Sequence, residues 1–373
     1  MTSGERLFFF ILAFRFLSAN PVSLDFSLTP KINGYDLNSN GISDFIAVSN
    51  SALPRTLYHM EISSSGTDIL FEYTMPEDKK GYFVDMILGD FDYDGTIELI
   101  VAAYQDESSE IFYIFSADAM GFYGDSPIIT KINNSRTIIN NPRKLYMMKA
   151  DINGQSMFLL SQGSPNRRVI ICEYLDGEIK MLGSVGEEFL INSLAPIEIA
   201  LGDFNGDGGE DIFLLDNGFK PVGHFIFSDG LEENLDLSDY PRLRFLHEKG
   251  VDLNFDGSDD LVMVNRNGDL MSDIWGVESI QLAEKEIQNI LINPDNGFVY
   301  LTSISQTGKI GNFSIDPLTR TILSSDFELA GFAETDYKIV FSLAASQEIL
   351  LFHDGVTPEF WSVPLAIELI TDT

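Results

Sequence analysis

The 373-residue chain has few cysteines, histidines and basic residues, and each shortage narrows what the protein can be. Its single cysteine, Cys172, allows no internal disulfide and no cysteine metal cluster, and the apolar run around it predicts a small buried side chain. The four histidines stand apart, without the His-x-x-x-His or His-Glu-x-x-His spacing of a zinc hydrolase. A Gly-x-Ser-x-Gly elbow and a glycine-rich phosphate loop are also missing, so no catalytic set is predicted.

Basic residues are outnumbered by acidic ones, 23 against 57, which gives a formal net charge of −34. Such a charge repels nucleic acid and anionic membranes, so neither is predicted as a partner. Apolar residues still make up 45% of the chain and aromatic residues 12%, which predicts a packed core rather than disorder. The excess charge is either a solvated surface or is partly neutralised by bound divalent metal.

Long hydrophobic runs are missing except at the start, where "LFFFILAF" spans Leu7–Phe14. With Arg6 before it and Ala19 as a small residue for cleavage, residues 1–19 resemble a signal peptide; an ordinary buried first strand is the alternative. The run is shorter than the roughly 20 residues that cross a bilayer, so no membrane insertion is predicted. We expect a secreted or extracellular protein, with the periplasm or cell surface as further possibilities, and one domain over residues 20–373.

An acidic motif recurs along the chain with nearly even spacing. It begins at Asp36, Asp90, Asp203 and Asp252, and a degenerate copy, "ADINGQSMFLLSQG", begins its acidic run at Asp151. A period near 50 residues is typical of a repeat architecture. Between the motifs the chain reads as about four short strands per repeat, and the acid-free tail continues the same rhythm.

Repeated four-stranded units predict an all-β fold, a seven-bladed β-propeller of four-stranded antiparallel blades with calcium loops. Five motifs and two plain repeats give seven blades, although six or eight remain open. The stretch "VSLDFSL" after residue 21 is a candidate to pair with the last blade and close the ring.

The four intact motifs predict calcium loops. We number them first (36–44), second (90–98), fourth (203–211) and fifth (252–260), the third being the degenerate copy. Oxygen-bearing side chains occupy positions 1, 3, 5 and 9, glycine occupies position 6, and position 7 offers a backbone carbonyl. Alternating carboxylates on a tight turn suit a hard cation with six or seven oxygen ligands, calcium before magnesium. The predicted ligands are Asp36, Asn38, Asn40, Ile42 and Asp44; Asp90, Asp92, Asp94, Thr96 and Glu98; Asp203, Asn205, Asp207, Gly209 and Asp211; Asp252, Asn254, Asp256, Ser258 and Asp260.

An EF-hand loop shares the first half of this pattern but runs to twelve residues and enters a helix. Here position 9 opens aliphatic runs such as "ELIVA" and "DIFLL", which predict strands. The EF-hand interpretation therefore fails.

With these loops, the chain resembles the FG-GAP, or VCBS, repeat family, known from the propeller of integrin α-subunits and from many secreted bacterial proteins. The resemblance covers most of residues 20–373 and includes the Gly-Asp lead-in at Gly89 and Gly202. It implies a seven-bladed propeller whose calcium loops are structural and join the first two strands of a blade. It does not fix a ligand, because one scaffold serves many functions.

Two functions are therefore carried forward. The first is a secreted, calcium-stabilised interaction or adhesion module for an extracellular protein or glycan. The second is an extracellular carbohydrate-active enzyme, a polysaccharide lyase or hydrolase, since two carboxylates distant in sequence can meet in space.

Overall fold

A computed structural model describes residues 22–23, 28–42, 44–49, 51–63, 66–105, 110–118, 120–121, 123–124, 126–133, 141–148, 157–163, 168–175, 177–185, 197–216, 221–237, 239, 243–275, 278–280, 286–292, 299–304, 309–328, 337–342, 348–353 and 359–364. The predicted signal peptide and the degenerate loop at Asp151 lie outside these residues. In the described part, no helix has the length and apolar character needed to cross a membrane.

The chain begins with β1 (Val22–Ser23), which belongs to the last sheet. The first sheet holds β2 (Leu28–Tyr35), β3 (Asp44–Ser49), β4 (Thr56–Ser63) and β5 (Gly66–Thr74). The second holds β6 (Gly81–Gly89), β7 (Glu98–Gln105), β8 (Phe112–Ser116) and β9 (Ile128–Thr130). The third holds β10 (Ile132–Asn133), β11 (Pro142–Met147), β12 (Met157–Gln162), β13 (Arg168–Leu175) and β14 (Glu178–Val185).

The fourth sheet holds β15 (Ile197–Gly202), β16 (Asp211–Asp216), β17 (Val222–Ile226) and β18 (Glu232–Asp236). The fifth holds β19 (Leu243–Leu246), β20 (Val262–Asn265), β21 (Leu270–Ser272) and β22 (Ser279–Ile280), with a 3-10 turn at Asp273–Trp275. The sixth holds β23 (Glu286–Ile292), β24 (Val299–Ile304), β25 (Lys309–Ile315) and β26 (Ile322–Glu328). The seventh holds β27 (Tyr337–Ser342), β28 (Glu348–His353), β29 (Glu359–Pro364) and β1.

Over the described residues there are thus seven sheets, and six of them have four antiparallel strands in meander order. The third sheet departs from the expected four strands, because β10 adds a fifth that runs parallel to β14. Its Ile132 is 7% exposed and packs into the core between the second and third sheets, which holds this connecting segment against the sheet edge.

Each sheet from the second to the fifth packs against both of its neighbours. In β7, for example, Ile100 and Ala102 contact the third sheet, whereas Leu99 and Val101 contact the first. Because successive strand residues point to opposite faces, a strand packed between two neighbouring sheets must be apolar on both faces. This explains why β7 and β16 read as continuous apolar runs, while the outer strand β18, "EENLD", is polar and exposed.

The innermost strands are linked across sheets by half-buried carboxylates. Asp85 on β6 accepts the N–H of Leu145 on β11 at 2.9 Å, and Glu198 on β15 accepts that of Leu246 on β19 at 3.0 Å. These bonds satisfy N–H groups that have no partner strand on that side.

The first and last described strands, β1 and β29, meet in one sheet. Val22 pairs with Phe360 and Ser23 with Glu359, antiparallel, so the prediction that the stretch after residue 21 pairs with the last sheet is confirmed. The innermost strand of the first sheet, β2, also contacts that of the seventh, β27.

The contact between the first and second sheets predicts a difference between two glycines with the same backbone conformation. Gly121 has φ +81°, and a Cβ there would lie 2.5 Å from the Leu37 carbonyl oxygen, whereas Gly230 has φ +85° with nothing within 4 Å. Gly230→Ala should cost only the left-handed strain of about 1 kcal/mol. Gly121→Ala should cost more, because backbone atoms of the neighbouring sheet must also move. Urea unfolding measures both, and equal losses would contradict this packing.

Candidate metal centres

Each of the four loops joins the innermost strand of its sheet to the second strand. The first connects β2 to β3, the second β6 to β7, the fourth β15 to β16, and the fifth leads from β19 to β20. Asp44, Glu98 and Asp211 are the first residues of their strands, and Asp260 forms a bridge with Val251 just before β20. The prediction that position 9 opens a strand is thus confirmed for three loops, and Asp260 falls two residues short.

The carboxylate at position 1 closes the turn by accepting backbone N–H groups from positions 5 and 6. Asp203 accepts them from Asp207 at 2.9 Å and Gly208 at 2.8 Å. Asp36 and Asp252 make the same pair of bonds, and Asp90 makes the bond to position 6 at 3.1 Å. The side chain at position 5 accepts the N–H of position 7 in all four loops, at 2.7 to 2.9 Å. Side-chain oxygens at positions 1 and 5 therefore hold the backbone of the turn.

The carboxylate at position 9 forms the base of each loop. It accepts the N–H of position 2: Glu98 from Phe91 at 3.0 Å, Asp211 from Phe204 at 2.8 Å, Asp260 from Leu253 at 2.8 Å, and Asp44 from Leu37. All four are buried, between 0 and 6% exposed. A carboxylate so far from water needs donors or a cation around it.

Two residues of each loop adopt the left-handed conformation. Position 6 is glycine in every loop, with φ between 83° and 96°, as the sequence predicts. Position 4 is also left-handed and the sequence analysis missed it; its residues are Ser39, Tyr93, Gly206 and Phe255, with φ from 56° to 73°.

The second loop brings its acids together without further rearrangement. Oxygens of Asp90, Asp92 and Glu98 all lie within 4.8 Å of one another. Asp94 is more exposed and receives the Thr96 N–H, which lowers the pKa of its carboxyl group through hydrogen bonding to Thr96. An all-oxygen set of this kind fits a calcium ion, for which Asp90, Asp92 and Glu98 would supply side-chain ligands.

The acids at the base of two loops have perturbed pKa values. Burial raises the pKa of Glu98 to about 7, and the charges of Asp92 and Asp94 add to the rise. Burial also raises the pKa of Asp260 to about 7, with a further contribution from Asp273. Crowded carboxylates without a counter-charge disfavour ionisation, and a bound cation would reverse this effect.

Three of the four loops have a side chain from a later strand, or from just after one, close by, which the sequence analysis missed. In the first loop, Glu61 on β4 accepts the side-chain amides of Asn38 and Asn40 at 2.6 and 2.7 Å. In the fourth, the Ser228 hydroxyl lies 3.2 Å from Asp207, and in the fifth, Asp273 accepts the N–H of Leu261 beside the loop. The only available signal was cross-strand register, since Glu61 pairs directly with Asp44.

The first loop also contains a buried histidine. His59 Nε2 lies 2.8 Å from Asp44 Oδ1, and both side chains are almost fully buried. Tyr123 from the β8–β9 connection packs edge-on against the His59 ring, with centroids 5.5 Å apart. This histidine therefore supports the base of the loop and is not part of an open catalytic site.

A separate cavity of about 340 Å³ lies among the innermost strands, lined by residues of β2, β6 and β11 and by Leu201, Glu248 and Lys249. Its two carboxylates both have lysine partners: Asp85 lies 3.9 Å from Lys31, and Glu248 is paired with Lys144. Burial raises the pKa of Asp85.

The elevated pKa of Glu98 predicts how the metal-free protein responds to pH. Because its pKa rises from 4.5 to about 7 on folding, the folded state holds the proton more tightly, so this group destabilises the fold as pH increases through that window. Glu98→Gln should therefore show a smaller loss of melting temperature between pH 4.5 and 7.5 in excess chelator than the unchanged protein. Glu233→Gln, an exposed outer-strand control, should keep the full pH dependence. Identical slopes for Glu98→Gln and the unchanged protein would contradict the assignment.

Comparisons with known proteins identify the fold and no family. No family model matches the chain, and no curated protein matches it. Among 452 matching chains of solved structures, one belongs to a crystal structure of the mitotic checkpoint complex, with 9% identity, a TM-score of 0.55, and coverage of 98% of this chain and 97% of that one. Another is Chaetomium thermophilum Raptor, with 11% identity, a TM-score of 0.52, and coverage of 91% of this chain and 29% of that one. These neighbours are WD40-like propeller proteins, and so distant a likeness shows the fold alone. The chain therefore has an all-β, propeller-like fold built from four-stranded antiparallel sheets.

Proposed function

We propose that the chain is a secreted, calcium-stabilised β-propeller of seven blades that acts as an extracellular interaction module for a protein or glycan. The seven described sheets, the pairing of β1 with β29 and the contact of β2 with β27 support a closed ring. The loop pattern and its resemblance to FG-GAP repeats support calcium, and the apolar run at Leu7–Phe14 supports secretion.

One observation carries the proposal: four loops at equivalent places in their sheets share one hydrogen-bond pattern, and in the second of them oxygens of three carboxylates lie within 4.8 Å of one another. A turn alone does not require three to four acids, because asparagine or serine also accepts backbone N–H groups. Carboxylates in that arrangement repel one another, and a divalent cation removes the repulsion.

The position of Glu61 changes the order of calcium affinity that we expect among the four loops. From the sequence, the first loop has only Asp36 and Asp44 as acids and should release its ion first. Glu61 adds a third carboxylate there, which makes its charge equal to that of the fourth and fifth loops. The second loop, with four acids of its own, should bind most tightly.

We expect calcium to act mainly on stability. An ion that binds only the folded state contributes about 2.7 kcal/mol per site at a hundredfold excess over Kd. Several sites together would rival the roughly 5–15 kcal/mol stability of an ordinary domain. Excess chelator should therefore lower the melting temperature markedly, and a melting curve that chelator leaves unchanged would count against structural calcium.

A variant separates the metal from the turn. Asp94, which the sequence predicts as a ligand, lies outside the group of Asp90, Asp92 and Glu98, and its variant tests whether it joins them around the ion. Asp94→Ala should lower the melting temperature in calcium and have a smaller effect in chelator, because a lost ligand matters only when the ion is present. Loss of the hydrogen bond to Thr96 alone would give the same drop in both conditions. Glu233→Ala serves as the acidic control and should have little effect in either.

Calorimetric titration of the chelator-stripped protein with calcium should give four sites. The count tests the loop assignment directly, since each intact loop supplies one site. Fewer than three sites would contradict it.

The second candidate is a carbohydrate-active enzyme, which one observation favours: Asp85 and Glu248 line the same cavity, and burial raises the pKa of Asp85. The lysine partners of both carboxylates favour a structural role instead. A hydrolysis and lyase assay on a glycan panel decides between them. Turnover that is lost in Asp85→Asn, with unchanged calcium binding, would replace the binding module by the enzyme.

A further inference from the structure

Among the described residues, five large apolar side chains protrude from turns that join the first to the second strand, or the third to the fourth strand, of a sheet. Their exposed fractions are 51% for Tyr93, 68% for Met120, 64% for Leu231, 56% for Phe255 and 59% for Leu318. We call these five residues the apolar tips. Interface cores are enriched in aromatic residues and methionine, so protruding side chains of this kind need an explanation.

The apolar tips lie on one face of the protein, which we call the loop face. They stand in turns that join the first to the second strand, or the third to the fourth strand, of a sheet, and in a meander these turns share one edge. Contacts between sheets connect the edges. Gly121 lies against Leu37 of the first loop, and Asp203 of the fourth loop donates its N–H to Asp259 of the fifth at 2.7 Å.

The contacts between turns of neighbouring sheets continue from the fifth sheet to the sixth. Trp275, in the turn after β21, donates its indole N–H to the Pro317 carbonyl at 2.9 Å, beside Leu318. The loop face therefore extends across the turns of neighbouring sheets.

Two of the tips occupy a strained backbone position at which the other two loops have smaller residues. Tyr93 and Phe255 stand at position 4 with φ 58° and 59°, a conformation that bulky side chains disfavour. At the same position the first loop has Ser39 and the fourth has Gly206. An exposed aromatic ring at this position costs stability and contributes nothing to the turn, which points to a role outside the fold.

The other three tips are each held by an aspartate. Met120, Leu231 and Leu318 donate their backbone N–H to Asp118, Asp229 and Asp316 at 2.8, 2.9 and 2.9 Å. These aspartates lie outside the calcium loops, so calcium binding leaves their charge in place. The loop face thus places apolar side chains beside negative charge on a chain whose net charge is −34.

We propose that the loop face binds a protein partner that surrounds apolar pockets with basic residues. Apolar anchors supply affinity, and complementary charge speeds association and selects the partner. Anionic membranes are repelled by the acidic face, and three of the five tips are leucine or methionine, which lack the flat ring on which a sugar stacks. This inference rests on the proposed interaction function and narrows its partner to a basic protein.

A synthetic peptide tests the chemistry. The probe alternates leucine pairs with lysine pairs and carries a fluorescent label. One matched peptide has serine for leucine, and another has glutamate for lysine. In fluorescence anisotropy the leucine–lysine peptide should bind the unchanged protein about tenfold more tightly than the serine–lysine peptide. The glutamate peptide should not bind.

The other loops supply the replacement residues for two of the tip variants. Tyr93→Ser and Phe255→Gly install the residues of the first and fourth loops, and Leu231→Ser removes a third tip. The triple variant should lose the advantage of the leucine–lysine peptide, and its melting temperature should be equal or higher, because Phe255→Gly relieves backbone strain. Leu53→Ser removes a leucine that is 58% exposed in the β3–β4 turn, at the opposite edge of its sheet, and should change nothing.

Several outcomes would overturn the inference. Equal binding of the leucine–lysine peptide to the triple variant and the unchanged protein would mean mere adsorption to an acidic surface. Tip-dependent binding of cellohexaose or chitohexaose without peptide binding would assign the face to neutral glycans. Tip-dependent binding to phosphatidylserine vesicles would assign it to a membrane.

The proposed function can fail separately. Calorimetry that finds no calcium sites, with tip-dependent peptide binding intact, would reject the calcium proposal and leave the partner class standing. Four calcium sites together with peptide binding that does not depend on the tips would reject the partner class and leave the calcium proposal standing.

Discussion

The packing of sheet against sheet is the interaction on which the rest of this structure depends. Leu99 and Val101 face one neighbour of the second sheet while Ile100 and Ala102 face the other, so β7 has no face left for water. The same constraint sets the composition of the strands. The second strands β7 and β16 are apolar on both faces and the outer strand β18 is polar, whereas the innermost strands carry some polar residues such as Asp85 and Glu198. The packing also limits where function can lie, because the turns, the outer strands and the cavity at the innermost strands remain accessible.

The loops solve a problem that this packing creates. The first strand of a sheet must reverse into a second strand that is buried from its first residues, and the reversal leaves backbone N–H groups near the core. The carboxylate at position 9 accepts one of them from position 2, and the carboxylate at position 1 accepts the N–H groups of positions 5 and 6 or of position 6 alone. Satisfying buried donors with carboxylates concentrates negative charge, which raises the pKa of Glu98 and Asp260 through burial and then through repulsion. A cation within the loop would complete this arrangement, since it lets the acids remain ionised while they hold the turn.

Local features of the structure were predictable from the sequence, and features that depend on register were not. Short apolar runs between turn residues, the 50-residue period and glycine at position 6 are visible in the sequence, so the four-strand units and the turn at Gly95, which is left-handed in the structure, were predictable. The approach of Glu61 to the first loop depends on which residue of β4 lies opposite Asp44, and the sequence does not specify this pairing. The parallel strand β10 was missed for the same reason: Ile132 is held by contacts with the neighbouring core, not by a local pattern.

The four loops divide into a part that is constant and a part that varies. Their hydrogen bonds repeat from one copy to the next, whereas position 4 holds serine, tyrosine, glycine and phenylalanine in one backbone conformation. Since glycine adopts that conformation without strain and the aromatic residues do not, the backbone cannot be the reason for Tyr93 and Phe255. The turn is determined by its base, where the buried carboxylates and their N–H donors lie, and the exposed tip is free to serve another purpose. Under the proposal that the tips contact a partner, an exchange of tip residues would change the partner, while the acids at the base of the loops remain as they are.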